Sequence, residues 1–190
     1  MTRPIVAVLA GGDSTRMGFD KATVPFGSST MLETVLDVAA VVGEPAIVGR
    51  TNGPGGIPAY PDLRPGSRGP LTGLETALHH HPGRTVVLLA VDHPFVRAET
   101  LEAMLAIDGD AVVPVADGWE QVTCAVYRST FANAATETLD SGCRSIITAL
   151  RNANTTLVEE AAWHLWGEDG RSWFSVDSLD RLEEGLRLYR

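Results

Sequence analysis

Apolar positions in this chain fall into short β-branched runs separated by stretches of helical period. Ile5 to Leu9 reads Ile-Val-Ala-Val-Leu and ends in glycines, the pattern of a strand buried on both faces that feeds a tight loop. Val86-Val-Leu-Leu-Ala-Val91, inside a strand predicted over Thr85 to Val91, is the strongest such run. Further strands are predicted at Ala46 to Val48, Ala111 to Val115 and Thr123 to Tyr127. Between them the spacing predicts helices over Thr30 to Val42, with Ser29 or Thr30 as N-cap, over Leu71 to His81 and over Ala98 to Ala106. A last helix over about Ser178 to Leu188 starts on a capping Ser or Asp. Strands alternating with helices predict an α/β fold of three layers, with a mostly parallel central sheet covered by helices.

Length and composition fit one such unit. The 190 residues are 44% hydrophobic and carry no charge block, repeat or low-complexity tract, so a single domain over 1–190 is expected. Two Gly/Pro-rich stretches, Thr51 to Gly56 and Pro61 to Gly69, read as active-site loops rather than boundaries. A net charge of −9 disfavours nucleic acid or an anionic membrane as a partner, since both select a basic face. Cys124 and Cys143 lack C-x-x-C spacing, and no leader-like or long apolar segment precedes the first strand, so the expected location is the cytoplasm. Cys124 reads as a reduced core thiol and Cys143 as an exposed one.

The chemistry concentrates in Leu9-Ala-Gly-Gly-Asp-Ser-Thr-Arg-Met-Gly-Phe-Asp-Lys21, a glycine-rich loop leaving the first strand. Lys21 is the one lysine among 15 Lys and Arg residues. At the carboxyl end of a parallel strand, Gly11, Gly12 and Gly18 let backbone N–H groups turn toward an anion, and Ser14 and Thr15 add hydroxyl donors. Arg16 can neutralise phosphate oxygens by its fork and Lys21 as a point charge. Neither the dinucleotide fingerprint nor the P-loop has this spacing, because the glycines are adjacent and the lysine comes ten residues after the first of them.

The pattern L-A-G-G-x-S-x-R-M-G-x-D-K resembles that of the molybdenum cofactor guanylyltransferases. Asp62 with Gly69-Pro-Leu-Thr-Gly73 resembles the family's guanine and ribose segment, and Asp92-His-Pro-Phe95 its metal segment. Cys124-Ala-Val-Tyr-Arg128 and Gly142-Cys-Arg-Ser145 resemble its acceptor-side elements, so the likeness runs in order from residue 5 to about 150. The resemblance implies a Rossmann-like fold and transfer of GMP from GTP to molybdopterin with release of pyrophosphate. It implies nucleotide contacts from Leu9, Ala10, Gly11, Gly12, Lys21, Asn52, Asp62 and Asp92, catalytic roles for Arg16, Lys21 and Asp92, and Mg²⁺ on Asp92. GTP and molybdopterin are the expected small-molecule substrates, with transient contacts to molybdoenzymes or their chaperones.

Other readings compete residue by residue. Asp92 could cap a helix starting near Pro94, Asp62 could be a turn residue, and Thr51 competes with Asn52 for its place. His79, His80 and His81 point in different directions on a helix and read as its C-terminal end before Pro82. His93 reads as a ligand-facing oddity or a supporting donor, not as a catalyst. The family's asparagine-rich stretch before the last helix is replaced by Phe174-Ser-Val-Asp-Ser-Leu-Asp180, with Asp177 and Ser178 in its place, which puts the acceptor in question. Trp163, Trp166 and Trp173 could line a pterin pocket, against packing as the default for tryptophan. A nucleotidyltransferase using CTP or another phosphorylated acceptor, and a non-catalytic nucleotide-binding homologue, are the alternative functions.

Overall fold

The computed structural model describes residues 2–11, 20–64, 66 and 69–189. Strand β1 (Ile5–Leu9) is followed by a two-stranded hairpin, β2 (Pro25–Phe26) and β3 (Ser29–Thr30), then helix α1 (Met31–Val42), β4 (Glu44–Val48) and β5 (Ala59–Tyr60). Next come α2 (Pro70–His80), β6 (Val86–Ala90), α3 (Ala98–Leu105), β7 (Ala111–Ala116), β8 (Trp119–Glu120) and β9 (Cys124–Tyr127). Helices α4 (Ala132–Asp140) and α5 (Ile146–Leu150), strand β10 (Thr155–Val158) and helices α6 (Glu160–Trp163) and α7 (Leu179–Leu188) complete the order.

The main sheet runs β10-β7-β9-β6-β1-β4-β5, with β8 paired to β7 outside this path. Strands β6, β1, β4 and β5 are mutually parallel. Strand β9 runs antiparallel to both β6 and β7. The reason is the connection: only residues 117–123 separate β7 from β9, too few for the crossover that a parallel neighbour requires. The reversal starts at Asp117 and Gly118, whose φ angles of 53° and 76° make the tight turn of a hairpin. Asp-Gly is the residue pair that such a turn selects.

Side chains alternate between the two faces of β1, so Val6 and Val8 join one apolar cluster while Ile5 and Ala7 join the other. Helices α1, α3 and α6 cover the first face, and α2, α4 and α5 cover the second. This explains the unbroken apolar runs of β1 and β6: both faces are buried, and each large aliphatic side chain so enclosed contributes about 1.5–3 kcal/mol. A third cluster of Val24, Met31, Phe174, Val176 and Leu182 fastens α7 beneath the β2–β3 hairpin.

The expected helix over Thr30 to Val42 is α1, and of its two candidate caps the structure uses Thr30. Its hydroxyl accepts from Glu33 N at 3.2 Å while the Glu33 carboxylate accepts from Thr30 N at 2.8 Å. This reciprocal capping box fixes where the chain turns from the hairpin into the helix. Thr30→Ala is therefore expected to cost about 1 kcal/mol, read as a lower urea midpoint with an unchanged slope. An unshifted midpoint would show that tertiary packing alone sets the start of α1.

Candidate active site

Four parallel strands deliver four candidate residues to one edge. Gly11 follows β1, Asn52 follows β4, Asp62 follows β5 and Asp92 follows β6, and the lateral order is β6-β1-β4-β5. At the usual strand spacing the distance from β6 to β5 is about 14 Å. The chain leaves β1 toward β4 through α1 on one face and returns to β6 through α2 on the other. Between β1 and β6 the order therefore switches, which is where open α/β sheets bind ligands.

The strand ends are fastened backbone to backbone. Val91 N donates to Leu9 O at 3.1 Å, Ala10 N to Val48 O at 3.0 Å and Gly49 N to Tyr60 O at 2.9 Å. A Cβ on Gly11 would lie 2.5 Å from Gly49 Cα, and Gly49 itself has a φ of +88°, so these two positions tolerate no side chain. Gly11 is thus required by the neighbouring loop, a reason separate from access to a ligand. The Leu9 side chain packs on α2 at Gly73, where a Cβ would fall 2.4 Å from Leu9 Cδ2. Gly12, Ser14, Thr15, Arg16 and Gly18 lie outside the described residues.

Lys21 begins a short 3₁₀ turn, Lys21–Thr23, held from both sides. Asp20 caps the turn by accepting from Ala22 N at 3.1 Å, and Ala22 is buried in the α1-side core. So anchored, Lys21 Nζ meets Asp92 Oδ2 at 3.0 Å across the switch point, with side chains only 21% and 23% exposed. The sequence separates these residues by 71 positions. The capping alternative for Asp92 fails: the next helix, α3, starts at Ala98 with Arg97 as its N-cap, and the Asp92 carboxylate faces Lys21.

Burial pushes the Asp92 carboxyl up, but the charges of His93 and Lys21 and hydrogen bonds from Lys21 and Ser175 outweigh it, leaving it below its ordinary value. His93 is 4% exposed, with Nε2 3.8 Å from Asp92 Oδ1 and 3.4 Å from Thr123 Oγ1. Its burial holds the imidazole pKa down, against the Asp92 charge and the Ser172 backbone, and the Lys21 charge adds to the lowering. Lys21 is the cation in direct contact with the Asp92 carboxylate. His93 is a packed neighbour of the site, in keeping with a supporting role.

On the other side of β1, Gly49, Arg50, Thr51, Asn52, Pro61 and Asp62 line a cleft of about 390 Å³. It brings Asn52 and Asp62 together and admits Thr51 as well. Burial raises the Asp62 carboxyl above its usual value. The loop that carries it is welded to two helices: Arg64 forks Glu75 of α2 at 2.7 and 2.6 Å and reaches Asp140 of α4 at 2.7 Å. Leu63 N also donates to Thr76 Oγ1 at 3.2 Å.

The acceptor-side expectations change. Cys124 to Tyr127 is β9, each residue 0% exposed, and Arg128 braces the Leu105 and Ile107 carbonyls at 2.9 Å, so this segment builds core. Trp163 and Trp173 are likewise buried, stacked edge to face at 5.9 Å, with Trp163 Nε1 donating to Val115 O at 2.9 Å. They are packing residues because their rings complete the α6 side of the core. The histidine run behaves as expected: His79 and His80 close α2, His81 is its C-cap, and His80 stacks on Tyr60 at 4.1 Å. Cys124 is buried, Cys143 is half-buried, and both are free thiols.

The substituted C-terminal stretch docks on the site itself. Val176 N donates to Asp92 O at 2.7 Å, and the Ser175 side chain hydrogen-bonds the Asp92 carboxyl. Sequence reasoning singled out Asp177 and Ser178 in this stretch. The contact is made by Ser175, while Asp177 is exposed and Ser178 caps α7. Arg50 and Arg64 were also missed, because each acts through partners distant in sequence. Among the described residues no group of three or more His, Cys, Asp or Glu side chains could hold a metal. The Asp92 carboxylate at the strand edge nevertheless fits Mg²⁺, which takes one or two carboxylates and completes its shell with phosphate oxygens and water. No helix among the described residues is long and apolar enough to cross a membrane.

Residues 6–155 match the MobA-like NTP transferase domain. A probable molybdenum cofactor guanylyltransferase from Mycobacterium marinum is 35% identical over 160 residues, 78% of this chain and 79% of that protein. Another from Peptoclostridium acidaminophilum is 27% identical over 192 residues, 93% and 86% of the two chains. Among solved structures, molybdopterin-guanine dinucleotide biosynthesis protein A from Archaeoglobus fulgidus gives a TM-score of 0.84 at 24% identity, covering 97% of both chains. The 2-C-methyl-D-erythritol 4-phosphate cytidylyltransferase from Thermus thermophilus gives 0.67 at 18% identity, covering 96% of each. At such identities the two structural likenesses speak to the fold alone.

Asp62 offers a test of the cleft. A carboxyl raised by burial binds its proton more tightly folded than unfolded, so ionisation costs stability as pH rises through the folded pKa. Asp62→Asn is expected to melt above the wild type at pH 7, with the gap closing toward pH 3, and to bind nucleotide more weakly. Lower stability at neutral pH together with unchanged binding would make Asp62 an ordinary turn residue.

Proposed function

Because the chain belongs to the MobA-like NTP transferase family, we propose that it is a cytoplasmic molybdenum cofactor guanylyltransferase, transferring GMP from GTP to the terminal phosphate of molybdopterin. The observation that carries this reading is the Lys21–Asp92 pair at the switch point, one strand away from a cleft of nucleoside size. Guanosine lies over β4 and β5, read by backbone groups of Leu9, Ala10, Gly11 and Gly12 and by Asn52 and Asp62. The triphosphate runs back over β1 toward β6.

An acceptor phosphate oxygen attacks the α-phosphorus of GTP in line. The new P–O bond forms as the bond to the α,β-bridging oxygen breaks, and pyrophosphate leaves with that electron pair. The acceptor is already ionised at neutral pH, so no strong general base is needed. Lys21 and Arg16 offset the charge that gathers on the phosphate oxygens, and Lys21, already held beside Asp92, does so with little reorganisation. Asp92 would hold Mg²⁺, which when bound supplies Lewis-acid stabilisation of the phosphates and a template for the in-line geometry. Molybdoenzymes or their chaperones are the proposed transient receivers of the product.

The test supplies each of the four nucleoside triphosphates with Mg²⁺ and molybdopterin and follows pyrophosphate release. GTP is expected to support turnover at least tenfold better than CTP or ATP, and Lys21→Ala to lower it by two decades or more in a folded protein, about 3 kcal/mol. Turnover with CTP in preference to GTP overturns the guanylyl assignment. A well-folded Lys21→Ala variant with wild-type turnover removes Lys21 from the mechanism.

A further inference from the structure

Arg50 occupies a position that no part of the proposed chemistry uses. It leaves the end of β4 immediately after Gly49, whose backbone lies against Gly11. From there its Nε donates to the Ala10 carbonyl at 2.8 Å, and its Nη2 pairs with the Asp20 carboxylate. Ala10 and Asp20 stand on either side of residues 11–19, and Asp20 both precedes Lys21 and caps the turn that carries it. Arg50 also lines the cleft with Asn52 and Asp62. One planar guanidinium therefore touches both flanks of the glycine-rich segment while forming part of the nucleoside wall.

We infer that Arg50 is a positioning residue that ties the two ends of the site together. Its fork fixes the distance between Ala10 and Asp20, and through the Asp20 cap it sets where Lys21 stands relative to Asp92. A ligand group settling in the cleft meets the same side chain that holds the phosphate end in register. Arginine is required because two donors in a fixed plane engage a carbonyl and a carboxylate at once; a lysine ammonium is a single point on a flexible stem. This inference rests on the proposed orientation, with the nucleoside over β4–β5 and the phosphates toward Lys21.

The experiment separates the two ends with two probes, guanosine and inorganic pyrophosphate with Mg²⁺, each titrated calorimetrically against the wild type, Arg50→Ala, Arg50→Lys and Asp20→Asn. The strap predicts that Arg50→Ala weakens pyrophosphate binding at least tenfold, although the side chain lines the opposite end. Arg50→Lys is expected to recover little of the loss. Asp20→Asn, which keeps the shape of the cap but drops its charge, is expected to weaken pyrophosphate as well, and the double variant Arg50→Ala/Asp20→Asn to lose less than the sum of the singles. In turnover the same variants raise KM for GTP more than they lower kcat. Loss of guanosine binding alone, with pyrophosphate unaffected in both single variants, would make Arg50 a simple cleft contact and overturn the inference. Melting curves identify any variant that is merely misfolded, and Asp20→Asn then carries the test. A wild type that binds neither probe would instead sink the nucleotide reading on which the inference rests.

Discussion

The contact between Gly11 and Gly49 sets the dimensions of this site. Two chain segments leaving adjacent parallel strands ordinarily diverge, because each carries side chains that need room. Here neither does, and the backbones come so close that a Cβ on Gly11 would sit 2.5 Å from Gly49 Cα. That approach draws the exit of β4 over the exit of β1, brings Arg50 within reach of Ala10 and opens the cleft toward Asp62. Without it the cleft lined by Asn52 and Asp62 and the Lys21–Asp92 pair would be separate features of the sheet edge.

Charge is distributed along this edge by environment rather than by composition. A chain with a net charge of −9 is an unpromising host for a triphosphate until its cations are located. Lys21 and Arg50 both lie at the edge, each paired with a carboxylate that leaves it fixed in place and partly shielded. The two aspartates with functional candidacy are tuned in opposite directions. Asp92, beside Lys21, is held below its ordinary pKa, whereas Asp62, half-buried in the cleft, is lifted above it by desolvation. One suits a cation's charge, the other a hydrogen-bonding wall.

Much of the framework could be read from the chain because local patterns and tertiary packing agree there. The apolar runs at β1 and β6 are buried on both faces, as unbroken runs should be, and Thr30 with Glu33 carries its capping box in four letters. The antiparallel course of β9 was missed even though Asp117-Gly118 signals a hairpin, because a strand's pattern does not encode its direction. Helix α4, Ala-Asn-Ala-Ala-Thr-Glu-Thr-Leu-Asp, has too few large apolar residues to stand out, and it is defined by packing against α2. At the site, Lys21 and Asp92 were legible as charges at strand ends. Their pairing, the Arg50–Asp20 tie and the Arg64 fork to Glu75 and Asp140 were not, since nothing local records which distant group a side chain will meet. Asp62 shows the limit most plainly: an exposed turn aspartate and a half-buried one in a cleft look identical in sequence.

In the proposed orientation the nucleoside lies over β4 and β5, and the phosphates return across β1 to the pair at the switch point. A crystal structure of the protein soaked with GTP and Mg²⁺ tests it directly. Guanosine is expected in the cleft against Asn52 and Asp62, with triphosphate oxygens within hydrogen-bond distance of Lys21 Nζ and the ion on the Asp92 carboxylate. A nucleotide bound in the reverse sense, or seated away from the β6-β1-β4-β5 edge, would contradict it.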